Sequence, residues 1–342
     1  MNFHPFFTCI LLPIFFFGCA HPSSQPALKK HTQIGEFFGS VVQVDVCYGE
    51  REEDRVRQAL AGVWDRFEDI HGRMSVYDPK SDMNKVNGSY PEPVAVGADT
   101  YGLIRDAVGY HGLSQGVFDI TVYPLIAVWK ESGKKNVLPT AEELAGARKA
   151  VGVKNVELLP GNRIRLLSPA TKLSIDSIGD GYAADEAARI LRSHGFTHFL
   201  VDASGELVAG GRNCEGRRWR IGVRDPQDKT KLIDVLDLEN AATSTSGSYE
   251  RYYEINGVRW PHIINPVTGY PGRGVLSATV VAPTGQFADF WSTALCLLDP
   301  EQGIAMTDAM GEGFAAMVIV DRGEGKIIKK ASRNYARYSS RR

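Results

Sequence analysis

What this chain lacks narrows its chemistry first. Its 39 Lys and Arg nearly balance 40 Asp and Glu, for a formal net charge of −1, so no global field draws it to nucleic acid or a polyanionic surface. Basic residues gather only near the end, at Arg333, Arg337, Arg341 and Arg342, a pattern read as a solvated tail over 333–342. Cysteine is scarce. Cys9, Cys19, Cys47, Cys214 and Cys296 form no CxxC and no metal-ligand spacing, which argues against a thiolate metal site and against a disulfide scaffold. The glycines at 179 and 181 do not extend to Gly-x-Gly-x-x-Gly and no acidic residue follows at the dinucleotide-fold distance, so NAD binding is unsupported. There is no internal repeat. What is there is ordinary for a soluble globular protein: 342 residues, 43% hydrophobic and 23% charged, enough for a sizeable core.

The first twenty residues, MNFHPFFTCILLPIFFFGCA, differ from the rest. They are almost wholly apolar and too short for a comfortable membrane span, as in a signal-peptide core. Phe16-Phe17-Gly18-Cys19 resembles a bacterial lipobox, which predicts a signal over 1–18 and lipidation at Cys19. The Pro/Ser/Lys-rich stretch that follows predicts a flexible tether over 19–34, with the folded domain at 35–332.

Further along, SVVQVDVCYG alternates as a strand does. Val56, Leu60, Val63, Trp64, Phe67 and Ile70 recur at helical spacing. MSVYDPKSDMNKVN reads as a loop, and helices are expected near 98–110 and 140–150. From 155 to 210 the order reads as three strands, a helix near 182–193, then two strands. WRIGVRD, KLIDVLDL, AATSTS and SYERYYEI suggest an antiparallel sheet, VLSATVVAP is a strong strand, and helices near 286–297 and 300–309 precede two last strands. Strands mixed with helices, without regular alternation, indicate α+β.

Four constellations carry chemistry. Asp289 and Thr293 lie four apart on a predicted helix, so a carboxylate and a hydroxyl emerge on one face; oxygen-only ligation suits a hard cation such as Mg²⁺. Taken alone, that pair also fits a helix cap and a back-bonding Thr. In TSTSGSYERYY, hydroxyls at Ser244, Thr245, Ser246 and Ser248 surround Gly247, a setting for phosphate or an ordinary turn. LSIDSIGDGYAADEAARIL runs a strand into glycines and a helix start, which favours anions. WPHIINPVTGYP sets His262 beside a turn, where it could act as a base near neutral pH or serve as a structural hydrogen-bonder.

Their order and company resemble the FAD:protein FMN transferase family, the ApbE-type flavin transferases. The likeness runs from about Gly35 to Lys330 and is carried by MSVYDPKSDMNKVN, GVFDITVYPLIAVW, IGDGYAADEAARIL, SGELVAGG, STSGSYERYY, HIINPVTGYP and FADFWSTAL. It implies an α+β fold related to the T-fold, with mixed and antiparallel sheets and packed helices, and FAD in a cleft with Mg²⁺ bridging its diphosphate. Ser177, Asp289, Ser292 and Thr293 would fall on or beside the metal. Phe38, Tyr77, Val117, Phe118, Asp119, Ser174, Asp180, Ser246, Gly247 and Ile264 would lie around FAD, with Tyr77 or Phe118 stacking on a ring. His262 would be the general base. The chain departs from the family pattern at Ser174, where Asp is usual, at Phe38, and at Ser204-Gly205-Glu206. The resemblance further implies an acceptor protein with a flavinylated Thr or Ser, release of AMP, and a lipid anchor on the periplasmic side of the inner membrane, the outer membrane being the alternative. An FAD pyrophosphatase yielding FMN and AMP, or a non-catalytic periplasmic flavin-binding lipoprotein, would use the same residues.

Overall fold

The computed structural model describes residues 28–37, 39–76, 78–323 and 325–341; Cys19, Phe38, Tyr77 and the expected signal lie outside them. Strands β1 (Lys29–Phe37) and β2 (Ser40–Tyr48) form a hairpin, followed by helices α1 (Glu53–Met74) and α2 (Asp82–Gly88). Then come β3 (Val94–Ala95), α3 (Ala98–Leu113), α4 (Tyr123–Lys135), α5 (Ala141–Arg148), β4 (Val156–Leu159) and β5 (Arg163–Leu166). Helix α6 (Gly179–Ser193) leads to β6 (Phe199–Ala203), β7 (Glu206–Gly210), β8 (Trp219–Arg224), β9 (Leu232–Leu238) and β10 (Ala241–Gly247). The rest is β11 (Tyr252–Ile255), β12 (Val258–Pro261), β13 (Val275–Ala282), α7 (Gly285–Leu295), α8 (Pro300–Ala309), β14 (Ala315–Asp321) and β15 (Ile327–Ala331).

One sheet organises the molecule, in the order β1-β2-β6-β7-β10-β13-β14-β15, and every described pairing in it is antiparallel. Its two faces separate because strand side chains alternate. On one face, Val42, Val44, Ala242, Ala278 and Val280 join the buried stripes of α1, α6 and α7. The stripe of α1 is the expected one: Val56, Leu60, Val63, Phe67 and Ile70 are all at most 1% exposed, and each such side chain contributes roughly 1.5–3 kcal/mol by leaving water. On the opposite face Trp219, Leu236, Val281, Met317 and Tyr335 pack together under the β8–β9 hairpin. A third, smaller core of Leu125, Trp129, Leu144, Val151, Ile255 and Ile264 joins α4 and α5 to the β11–β12 hairpin.

Five expectations are corrected. Residues 29–34 are not tether: they pair with β2, Lys29 opposite Tyr48 through Ile34 opposite Gln43, so the domain starts earlier than residue 35. The 333–342 segment is not a free tail: Tyr335 is buried, and Asp237 and Ser340 hydrogen-bond it to β9. Cys47 and Cys214 form a disulfide across a separation of 167 residues, and among the described residues Cys296 is free and buried. The loop around 82–88 contains α2, capped by Ser81 accepting from the Asn84 amide at 3.0 Å. The strand expected before Gly179 does not form; residues 171–178 are irregular and lead directly into α6.

Candidate functional site

Two helix starts cross and build the site. Gly181 in the first turn of α6 and Gly285 at the start of α7 lie so close that a Cβ on Gly181 would stand 2.4 Å from the Gly285 oxygen, and one on Gly285 2.6 Å from the Gly181 oxygen. Only glycine permits that approach. Each helix then supplies the acid that satisfies the other's free amides. Asp185 of α6 accepts from the Gly285 and Gln286 amides at 2.7 and 2.9 Å, while Asp289 of α7 accepts from the Gly181 amide at 3.2 Å. The Gly-x-Gly of the sequence is therefore a crossing point, and Asp289 is held at a helix start where negative charge is favoured.

Beside Asp289, the hydroxyls of α7 meet those of β10. Ser292 Oγ lies 3.0 Å from Ser244 Oγ and 2.8 Å from Ser246 Oγ, and Ser246 Oγ lies 3.2 Å from Thr293 Oγ1. Ser244 also donates to Glu206 Oε1 at 3.3 Å. Ser292, fully buried, also donates to the Asp289 carbonyl at 3.0 Å. The Tyr249 ring covers Gly247, 2.5 Å from where a Cβ would stand.

The electrostatics are those of crowded, desolvated acids. Burial, then the charge of Asp180, hold the Asp289 carboxyl well above its usual range, against the opposing Gly181 hydrogen bond. Burial, then Asp289 and Asp180, do the same to Glu206. Burial raises Asp180 to about 7, with Asp176 adding and Arg251 opposing. No salt bridge joins Asp289 to a cationic side chain among the described residues. A buried carboxylate without a counter-charge is costly, and a bound cation would relieve it. Nor do three or more His, Cys, Asp or Glu converge as an all-protein metal cage among the described residues. The donor set is one carboxylate plus neutral oxygens, which fits Mg²⁺ sharing its shell with water and phosphate.

The small third core sets the position of His262. Trp129 Nε1 donates to the Gly269 carbonyl at 2.8 Å, pinning the turn that follows the histidine. His262 Nδ1 is 2.9 Å from the Arg251 carbonyl. A carbonyl only accepts, so Nδ1 carries the proton and Nε2 keeps its lone pair. Burial lowers the imidazole's pKa, partly opposed by that hydrogen bond, and Asp176 is felt by His262 as by Asp180 and Asp289. Ile264, buried, anchors the same turn.

The remaining expected residues are spread around these groups. Ser177 lies two residues before α6, half-buried, and its hydroxyl makes no hydrogen bond to Asp289, Ser292 or Thr293. Ser174, buried, accepts from the Asp176 amide at 3.3 Å. Phe118 does not offer a free ring for stacking: it is 3% exposed and meets Phe290 of α7 edge-on with centroids 4.9 Å apart. Asp119 closes its own turn, accepting from the Thr121 amide and hydroxyl at 2.8 and 2.6 Å and raising the pKa of His111. Val117, half-buried, packs against the core. Glu206 and Asp185 were not singled out as site residues. Ser244 shares a face with Ser246 by strand alternation, whereas Glu206 and Asp185 reach their partners only through the fold.

Comparison with known proteins places this geometry. Residues 38–318 match the ApbE family. The FAD:protein FMN transferase of Klebsiella pneumoniae is 31% identical over 93% of this chain and 91% of its own, and that of Vibrio cholerae 32% identical over 85% and 87%. Among solved structures, the V. cholerae flavin transferase ApbE superposes with a TM-score of 0.81 at 27% identity, covering 91% of this chain and 99% of that one. The apo flavinyl transferase ApbE of Pseudomonas stutzeri gives 0.79 at 27%, covering 91% and 96%. With the crossed helix starts, the buried acid and the hydroxyl wall all inside the matched span, the chain belongs to the ApbE family.

Proposed function

We propose that this chain is an FAD:protein FMN transferase that cleaves the FAD diphosphate and joins the FMN half by a phosphoester to a Thr or Ser of an acceptor protein, releasing AMP. The observation that carries this reading, beside family membership, is the buried Asp289, with no cationic partner among the described residues, on the same helix as Ser292 and Thr293, whose hydroxyls meet that of Ser246. That wall suits a diphosphate brought in with a hard cation. Asp289 and Thr293 would hold Mg²⁺, with Ser177 beside it; when bound, the cation neutralises phosphate charge and polarises phosphorus.

The chain's own groups account for the remaining needs. The Ser246 hydroxyl would supply a donor where phosphate charge develops. His262 Nε2 takes the acceptor's hydroxyl proton as the new O–P bond forms and the P–O bond to AMP breaks. Lowered basicity keeps that nitrogen free at neutral pH. The reading includes export, cleavage after residue 18 and acylation of Cys19 on the periplasmic side of the inner membrane. The Cys47–Cys214 disulfide supports an oxidising compartment.

The test mixes the protein, FAD, Mg²⁺ and a flavin-acceptor domain, and follows flavin fluorescence in a denaturing gel. A covalently fluorescent acceptor is the expected result. Free FMN without labelling would make the chain a pyrophosphatase, and intact FAD would make it a binding protein. His262→Ala should slow transfer more than it weakens FAD binding in a calorimetric titration; lost binding with the chemistry of bound FAD intact would make His262 structural.

A further inference from the structure

An FMN transferase must give its acceptor protein a surface to rest on while a hydroxyl reaches His262, and the turn that follows His262 leads to one. Gly272 donates to the Ile263 carbonyl and Asn265 to the Tyr270 carbonyl, both at 2.9 Å, so residues 263–272 fold back on themselves. At the tip, Asn265 Oδ1 accepts from the Val267 and Thr268 amides at 2.9 and 3.1 Å. His262 stands at the foot of this turn, and four residues of chain keep Pro266 within about 14 Å of it. A cleft of about 400 Å³ lies against the tip, lined by Ala145, Arg148, Lys149, Val151, Pro266 and Val267. The Arg148 stem packs on the tip: a Cβ on Gly269 would stand 3.2 Å from Arg148 Cδ.

Charge and exposure say what this cleft fits. Residues 123–151 and 251–273 hold eight Lys and Arg against four Glu, in a chain whose overall balance is −1. The described ion pairs in these segments join Lys134 and Lys135 to Glu131. Among the described residues none engages Arg148, Lys149, Arg259 or Arg273. Arg259 and Arg273 lie instead over the rings of Tyr252 and Trp260, 4.7 and 4.1 Å from their centroids. On the turn itself Val267 is 55% and Tyr270 45% exposed. Cations without counter-charges beside exposed apolar side chains complement a protein surface that is acidic and partly apolar.

We propose that the cleft between the end of α5 and the 265–270 turn docks the acceptor protein, taking an acidic segment at Arg148 and Lys149 and an apolar side chain at Val267, so that the hydroxyl to be flavinylated reaches His262. This rests on the transferase reading and adds which face of the chain meets the protein substrate and what charge that substrate carries there.

Transfer is measured with the full folded chain at saturating FAD and Mg²⁺ while the concentration of a flavin-acceptor domain is varied, with thermal unfolding as a control for folding. Arg148→Glu combined with Lys149→Glu should raise the KM for the acceptor about tenfold or more while kcat stays within about twofold, because charges at the rim of an interface govern encounter rather than chemistry. The KM for FAD should not move. Arg148→Gln combined with Lys149→Gln should fall between that variant and wild type. Raising salt from ~50 to ~500 mM should weaken acceptor binding by wild type more than by the Gln variant. Lys29→Glu, a charge reversal on the edge strand β1, should leave the acceptor KM within about twofold. An unchanged acceptor KM in the Glu variant, an equal rise in Lys29→Glu, or a KM for FAD that rises in step with that for the acceptor would overturn the docking site while leaving the transferase standing. A wild-type chain that labels the acceptor at no concentration would overturn the transferase reading and the docking site with it.

Discussion

Strand β10 has two sides, and they handle polar groups in opposite ways. On the side away from the long helices, Thr243 Oγ1 donates to the Val280 carbonyl at 2.8 Å and Thr245 pairs with Thr279 at 2.9 Å, so each hydroxyl closes a bond with the neighbouring strand. That face continues into the Trp219–Tyr335 core, the disulfide and the docked C-terminal segment. On the helix side, Ser244 donates to Glu206 and both Ser244 and Ser246 meet Ser292, in a region of buried acids that raise one another's pKa. Alternation of period two thus sorts one strand into a face that stabilises and a face that holds unrelieved charge. Residues under strain of this kind mark function more often than those whose bonds are all made locally.

The sharpest way to break this comparison is to change one residue on each side. Asp289→Ala removes the only carboxylate assigned to the cation, and FMN transfer should fall at least ~100-fold, since a metal contributes several kcal/mol to such chemistry. Gel fluorescence of the acceptor reads the rate, and near wild-type labelling would end the assignment. On the other side, replacing Cys47 and Cys214 by Ser together should lower stability by about 2–4 kcal/mol in urea unfolding. Transfer per folded molecule should stay within about twofold, because the bond lies on the opposite face, among residues whose change acts on folding. If transfer falls as steeply as stability, the two faces are not separate. Between these lies Gly181→Ala. Its methyl would meet the Gly285 carbonyl at 2.4 Å, so the helix crossing must open, at roughly 1–3 kcal/mol. A lower melting temperature accompanied by weaker Mn²⁺ binding would show that the crossing aims Asp289.

How much of this was legible in the sequence follows the same division. Helix α7 could be read because its apolar spacing and the Asp289–Thr293 interval share one period. Helix α1 could be read from its stripe alone. Strand β1 reads as tether in the sequence because it begins Lys-Lys-His-Thr-Gln and most of its side chains stay partly exposed at the sheet edge, which blurs alternation. The run before Gly179 looked like a strand because Leu173, Ile175 and Ile178 are buried, but they are buried by a loop that packs without a partner strand. Asp185 and Glu206 were invisible as site residues for a different reason. Asp185 meets amides 100 residues away, and Glu206, which the sequence offers only as a departure from the family pattern, meets a hydroxyl 38 residues away, so no local pattern announces their partners. Separated cysteines hid their pairing in the same way: they stand at a sequence separation of 167.

The smallest expected effect concerns the cost of crowding acids on the helix side. Asp180 has its pKa raised to about 7, mainly by burial. In the unfolded chain it titrates near the ordinary value of about 4. Between those two values the folded state binds more protons than the unfolded one, so this group's contribution to stability is full below about pH 4 and is lost as pH rises toward 7. Asp180→Asn removes that loss. In chelator-treated protein, so that no cation offsets the repulsion, the variant's unfolding free energy should fall less steeply from pH 5 to pH 8 than the wild type's. Thr245→Val on the opposite face should leave the slope unaltered, since the hydroxyl partner of Thr245 is the non-titrating Thr279. Parallel pH profiles for Asp180→Asn and wild type would mean that the acid is already solvated, and the distinction between the two sides of β10 would lose its electrostatic half.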